Sequence, residues 1–143
     1  MKKILVSQCL YGGCAVRYDG KEKACIHPTF LRWKEEGRLV PVCPEVFGGL
    51  SVPRPPAERV GDKVINEEGA DVTEAYLRGA REAVRLAKEH DVALAVMKEG
   101  SPSCGSKRIY DGTFTGNKVP GRGLAVELLE EAGVKVISEE EIE

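Results

Sequence analysis

The sequence contains no Cys-x-x-Cys pair, only one tryptophan and two histidines, and aromatic residues at just 6%. Without paired cysteines a zinc ribbon is not expected. No stretch approaches the ~20 apolar residues of a membrane-spanning helix. The apolar run Ile4-Leu5-Val6 behind Met1-Lys2-Lys3 is far too short for the core of a signal peptide. A cytoplasmic protein with no membrane partner is therefore expected. Like-charge blocks are missing too, apart from Glu139-Glu140-Glu141. With 21 basic and 23 acidic side chains and a net charge of −2, nothing argues for general nucleic-acid binding. Internal repeats and linkers are absent, so residues 1–143 read as a single domain, and 42% hydrophobic residues supply enough material for one core.

What is present is a regular alternation of elements. Lys3 to Ser7 reads as a buried strand. Gly12-Gly13 and Asp19-Gly20 mark a long loop. Pro28 to Glu36 has a helical pattern with proline at its start and Gly37 as its stop. Leu39 to Val42 is a second strand, ending directly at Cys43. Pro44 to Pro56, rich in Gly and Pro, is expected to be irregular, and Lys63-Val64-Ile65 forms a small strand before the next helix. From Asp71 to His90, the residues Val72, Ala75, Tyr76, Gly79, Ala80, Ala83, Val84 and Ala87 share one helical face, and Asp71 and Glu74 have capping-box spacing. Val92 to Met97 is a near-continuous apolar strand, as in parallel sheets buried on both faces. A loop from Glu99 to Gly116 follows, then a helix from Leu124 to Ala132 stopped by Gly133, and a strand from Val134 to Ile137. Ser138 and Glu141 have capping-box spacing for a last turn. This order predicts an α/β fold: an open, doubly wound, Rossmann-like sheet of about four mainly parallel strands flanked by helices.

The five cysteines are Cys9, Cys14, Cys25, Cys43 and Cys104. An odd number without a secretion signal speaks against a disulfide framework. Cys9 lies just past the first strand, Cys43 at the end of the second and Cys104 in the loop leaving the third. Open α/β sheets bind ligands outside the carboxyl ends of their strands, near the topological switch point, so these three thiols can meet in one crevice. Soft thiolates suit zinc, copper(I) or iron–sulfur clusters. A cluster held by three cysteines instead of four keeps one iron open as a Lewis acid. Against this stands the plain alternative that each cysteine is a small buried hydrophobe.

Three motifs resemble those of the thiouracil desulfidase family. The first is Val6-Ser7-Gln8-Cys9-Leu10-Tyr11-Gly12, followed by Val16-Arg17-Tyr18-Asp19-Gly20. The second is Pro41-Val42-Cys43-Pro44-Glu45, with Gly48-Gly49-Leu50 and Pro53-Arg54-Pro55-Pro56. The third is Lys98-Glu99-Gly100-Ser101-Pro102-Ser103-Cys104-Gly105, with Ile109-Tyr110-Asp111-Gly112-Thr113-Phe114. The resemblance runs from Ile4 to about Glu141, in the family's order, and corresponds to its short, single-domain form. It implies a [4Fe–4S] cluster held by Cys9, Cys43 and Cys104, whose open iron takes the sulfur of a thiolated pyrimidine while water replaces it without net redox change. It also implies roles near the cluster for Glu45 and Ser101. Cys14 stands where the family more often has another residue, and Cys25 lies outside the motifs.

Glu45, in a loop two residues past a proposed ligand, has the chemistry to activate water and transfer protons. The structural alternative is an ion pair with Arg17 or Arg54. Ser101 and Ser103 can hold water or the polar edge of a ring, or simply cap their loop. Arg17 and Arg54 can bind a phosphate or carboxylate of a substrate, or order their own loops. His27 and His90 fit helix-end roles, and Phe30 and Trp33 fit the core. Three function classes stay open on these residues. One is a desulfidase. Another is a metal- or sulfur-binding module using the same thiolates without turnover. The last is a thiolate enzyme with Cys104 as nucleophile, which lacks a well-placed histidine base.

Overall fold

The structure, a computed structural model, describes residues 2–12 and 24–142. In chain order the elements are β1 (Ile4–Ser7), α1 (Gln8–Tyr11), α2 (Pro28–Glu35), β2 (Leu39–Val42), α3 (Pro44–Phe47), β3 (Ala57–Val60), β4 (Lys63–Asn66) and α4 (Thr73–Glu89). They continue with β5 (Leu94–Met97), β6 (Arg108–Tyr110), β7 (Lys118–Pro120), α5 (Leu124–Glu131), β8 (Lys135–Ser138) and a closing 3-10 turn, Glu139–Glu141. Four strands form one sheet in the order β2-β1-β5-β8, and every pairing in it is parallel. The expected open α/β sheet is therefore present. Its order reverses between β1 and β5, which makes that junction the switch point at whose carboxyl end ligands bind. Among the described residues no helix is long and apolar enough to cross a membrane.

The alternation of β1 assigns its side chains to opposite faces. Leu5 joins Ala80, Ala83, Ala125, Val126 and Leu129 in the core beneath α4 and α5. Ile4 and Val6 join Leu10, Phe30 and Val96 on the other side, where α1 and α2 pack. With both faces covered, all four residues of β1 are buried, so the strand is apolar throughout.

Several local expectations are corrected. Pro44 to Pro56 is not wholly irregular: Pro44 starts a one-turn helix, α3, with Cys43 as its N-cap residue. Proline suits that position, because its missing N–H would have had no intrahelical partner. The small strand at Lys63 pairs antiparallel with β3, so it is half of a hairpin. The loop from Glu99 to Gly116 contains β6, which pairs with β7 in a second hairpin. Asp71 does not form a capping box with Glu74. The residue before α4 is Val72, with no side-chain cap. Asp71 Oδ1 instead accepts from the Thr73 N–H at 2.9 Å, a local turn that competes with the cap. By contrast, the capping box of Ser138 and Glu141 is formed, and His27 Nδ1 caps α2 by accepting from the Thr29 N–H at 3.1 Å.

The contact between α3 and α4 fixes where Cys43 sits. A Cβ on Gly79 would lie 1.6 Å from the Pro44 carbonyl oxygen, and one on Gly48 would lie 1.9 Å from that of Ala75. The two helices touch backbone to backbone, which only glycine permits. Gly79→Ala is expected to destabilise the fold by about 3 kcal/mol through this overpacking. Chemical denaturation of the metal-free protein would measure it, and a loss under ~0.5 kcal/mol would show that the contact yields freely.

Candidate active site

The register of the sheet brings the first two motifs side by side. Ser7 lies opposite Val42, so Cys9 and Cys43 leave neighbouring strands at the same level. Cys104 follows β5, the other neighbour of β1. Cys9, Cys43, Cys104, Glu45 and Ser101 all line one cavity of about 510 Å³ at this edge.

Cys43 and Cys104 are poor places for unaccompanied negative charge. Burial pushes the Cys43 thiol up, and the charge of Glu45 adds to this against the N–H groups of Val46 and Glu45 and the Arg54 guanidinium. Burial raises Cys104 well above the ordinary thiol range, opposed by a hydrogen bond from Ser7 and reinforced by Cys9, Glu45 and Cys43. Ser7 Oγ accepts from the Lys98 N–H at 2.9 Å, leaving its own O–H for sulfur: Met97 Sδ at 3.7 Å or Cys104. A positively charged group in the cavity would favour the thiolate forms of Cys43 and Cys104 that burial opposes.

Glu45 sits in the first turn of α3 with its two oxygens used differently. Oε1 accepts from Tyr76 O–H at 2.8 Å and from Arg54 Nε and Nη2 at 3.2 and 3.1 Å. Oε2 accepts from Ser101 Oγ at 3.3 Å. The side chains of Arg54 and Glu45 are only 6% and 16% exposed, so the pair is largely desolvated. Burial comes first among the causes that hold the Tyr76 hydroxyl protonated far above its usual range, followed by the neighbouring Glu45 charge; Tyr76 is therefore a donor. Ser101 Oγ in turn accepts from the N–H groups of Ser103 and Cys104 at 3.0 and 3.1 Å. One hydroxyl thus joins the carboxylate to the turn that carries Cys104.

The remaining candidates fall elsewhere. Arg54 does not line the cavity; it backs Glu45 and donates to the Ser51 carbonyl at 3.0 Å. Ser103 is fully buried and is absent from the cavity wall. Its carbonyl accepts from the Ala125 and Val126 N–H groups at 3.0 and 3.4 Å, which seats the start of α5 on the Cys104 loop. Cys25 packs beside the core under α2. Arg17 and Cys14 lie outside the described residues.

The family model described as 2-thiouracil desulfurase matches residues 4–141. The chain belongs to this family. The resemblance read from its three motifs is thereby borne out. A solved structure described as the [4Fe-4S]-dependent thiouracil desulfidase TudS is 46% identical and superposes with a TM-score of 0.96, covering 99% of this chain and 93% of that one. The protein YbbK of Bacillus subtilis (strain 168), itself described as uncharacterised, is 43% identical over 149 residues, spanning 97% of each chain.

In this member of the 2-thiouracil desulfurase family, two carboxylates without a sequence-assigned role shape the cavity. Glu58, on β3, is 7% exposed and accepts from the N–H groups of Gly112 and Phe114 at 2.9 and 3.2 Å. Glu99, also 7% exposed, gathers the third motif around itself. Its Oε1 accepts from the N–H groups of Gly100, Ser106, Lys107 and Arg108 at 3.0 to 3.3 Å, and its Oε2 from Ser106 Oγ at 3.3 Å. Burial alone would raise its pKa; the backbone donors overcome this and hold it below the usual glutamate range. Tyr76 carries its own lesson. Its helical spacing marked it as a core residue, which its ring is, but its hydroxyl belongs to the site.

Glu99→Ala leaves four backbone N–H groups without their acceptor. It is expected to cost at least ~3 kcal/mol, a fall in melting temperature of roughly 10 °C. Because the folded pKa of Glu99 lies below its unfolded value, its stabilisation is complete above about pH 4.5 and disappears as the pH falls through the folded pKa. Thermal melts of parental and variant protein at pH 7 and pH 3 should therefore converge toward the acid end. A gap of unchanged size would show that the carboxylate charge contributes nothing.

Proposed function

We propose that the chain is a [4Fe–4S]-dependent enzyme that replaces the sulfur of a thiolated pyrimidine, such as 2-thiouracil or a thiouridine, by the oxygen of water. The observation that carries this reading is the meeting of Cys9, Cys43, Cys104, Glu45 and Ser101 on one cavity, within a chain whose relative of 46% identity is described as such a desulfidase. The donor set fits a cluster. Three soft ligands reach the cavity from three strand ends, and two of them, the half-buried Cys43 and the buried Cys104, have thiols whose deprotonation burial opposes and a positively charged group would favour. No three His, Cys, Asp or Glu side chains among the described residues are grouped to hold a single metal ion. Cys9, Cys43 and Cys104 would hold the cluster, and when bound it supplies an iron without a protein thiolate, a soft Lewis acid for the substrate's sulfur.

The protein's own groups handle water and protons. The three donors on Glu45 Oε1 lock the carboxylate's orientation, leaving Oε2 as the oxygen that takes the proton of the attacking water. Ser101, hydrogen-bonded to Oε2, holds that oxygen in register with the Cys104 turn. As the carbon–sulfur bond breaks, Glu45 returns its proton to the departing sulfide or the ring. One water enters and one hydrogen sulfide leaves for each thiocarbonyl converted to carbonyl, with no electron gained or lost. Arg54 acts through Glu45, so its expected contact with substrate is replaced by a positioning role.

The test is anaerobic reconstitution, counting iron and sulfide per chain and following 2-thiouracil, uracil and released sulfide together. Equal loss of thiouracil and gain of uracil and sulfide supports the proposal. A loaded cluster with no sulfide release points to a non-catalytic binding module.

A further inference from the structure

Two non-glycine residues among those described have positive φ: Asp91 at 52° and Phe114 at 58°. Asp91 turns the chain after α4, a setting in which short polar residues tolerate the left-handed region. An aromatic residue there is a genuine outlier, and strain of this kind is retained where function requires it. Phe114 lines the cavity, is 36% exposed and belongs to none of the hydrophobic core clusters. Packing therefore does not account for it. Its backbone is held from outside its own turn by Glu58, which also takes the Gly112 N–H. Within the turn, Asp111 accepts from the Thr113 N–H at 2.9 Å and from Asn117 Nδ2 at 3.0 Å.

Three aromatic residues line the cavity among the described residues. Tyr76 is 2% exposed and committed to Glu45. Tyr110 has Lys118 Nζ over its ring, 5.2 Å from the centroid. Phe114 is the one whose ring is not already engaged by either kind of partner. We infer that Phe114 is the surface on which the substrate's planar pyrimidine ring stacks, and that Glu58 is the positioning residue that keeps it there. This rests on the desulfidase reading of the cavity for its substrate class. Stacking on the ring orients the thiocarbonyl without taking part in the exchange of sulfur for oxygen, so the effect belongs in binding.

The experiment compares kcat and KM for 2-thiouracil in cluster-loaded protein with calorimetric binding of uracil, which has the ring but no sulfur. Phe114→Ala should raise KM by ~10-fold or more, within the range of base–aromatic stacking, weaken uracil in parallel and change kcat little. Phe114→Tyr should stay near the parental protein, whereas Phe114→Leu, apolar but not planar, should behave like alanine. Phe114→Asn, suited to the left-handed backbone, should lose the ring's contribution while keeping or raising the melting temperature. Glu58→Ala should reproduce the KM effect, and Glu58→Gln, which retains an acceptor oxygen, should not; if the alanine variant fails to fold, the Phe114 series decides. Unchanged KM and uracil affinity in Phe114→Ala, or a parental Phe114→Leu, would overturn the inference. If the parental protein binds 2-thiouracil without turning it over, the desulfidase reading falls, and the same calorimetric series still judges the stacking role.

Discussion

Cys9→Ser, Cys43→Ser and Cys104→Ser should each lose most of their iron and acid-labile sulfide after anaerobic reconstitution, and desulfuration with them. Serine preserves shape, but its oxygen is a harder and poorer iron ligand than thiolate. A site with only three protein ligands has no spare to compensate. Cys25→Ser should keep both cluster and activity, because Cys25 packs against the core cluster of Phe30 and Leu10 and does not line the cavity. Cys14→Ser should keep both as well. Each variant is compared by iron and sulfide counts, visible absorbance and sulfide release. If Cys14→Ser emptied the site, the cluster would have four protein ligands and no iron open to substrate. A structural or electron-transfer cluster would then be the better account.

Glu45→Gln should retain the cluster and the fold yet lose on the order of 10²- to 10⁴-fold in turnover, the usual worth of general acid–base catalysis. The amide is the milder substitution here. Its carbonyl oxygen can accept from Tyr76 and Arg54 as Oε1 does, while its NH2 replaces Oε2 and removes both the basicity toward the cavity and the acceptor of the Ser101 hydroxyl. Glu45→Ala would confuse the result. It removes the carboxylate that the nearly buried Arg54 pairs with, and breaking such a pair typically costs about 3–5 kcal/mol of stability. Single-turnover desulfuration and iron counts on the same preparation separate the outcomes. Parental turnover in Glu45→Gln would leave the residue with a structural role alone.

The local elements of this chain were readable because they follow from near neighbours in sequence. Period-two and period-3.6 patterns, proline at Pro28 and glycine at Gly37 and Gly133 all act within a few residues. The strand ends that carry Cys9, Cys43 and Cys104 were found for this reason. The two hairpins were harder: β3 and β6 are short, polar and next to Gly/Pro-rich segments, and their pairing depends on partners later in the chain. α3 was missed because one turn is too brief to show a period.

The roles of Glu58, Glu99 and Tyr76 could not be read at all. Glu99 earns its place through N–H groups up to nine residues ahead, and Glu58 through a turn more than fifty residues away. Tyr76 lies on the apolar stripe of α4 and differs from its neighbours only in where its hydroxyl ends. Sequence alone determined the strand–helix order, the motifs and the thiols placed at three strand ends, since these depend on local periodicity and residue chemistry. Tertiary structure decided which strands adjoin, that Arg54 serves Glu45 and does not line the cavity, and that Ser103 faces inward. Those outcomes depend on sheet order and on which buried donors find which acceptors, and both are settled only when distant segments pack together.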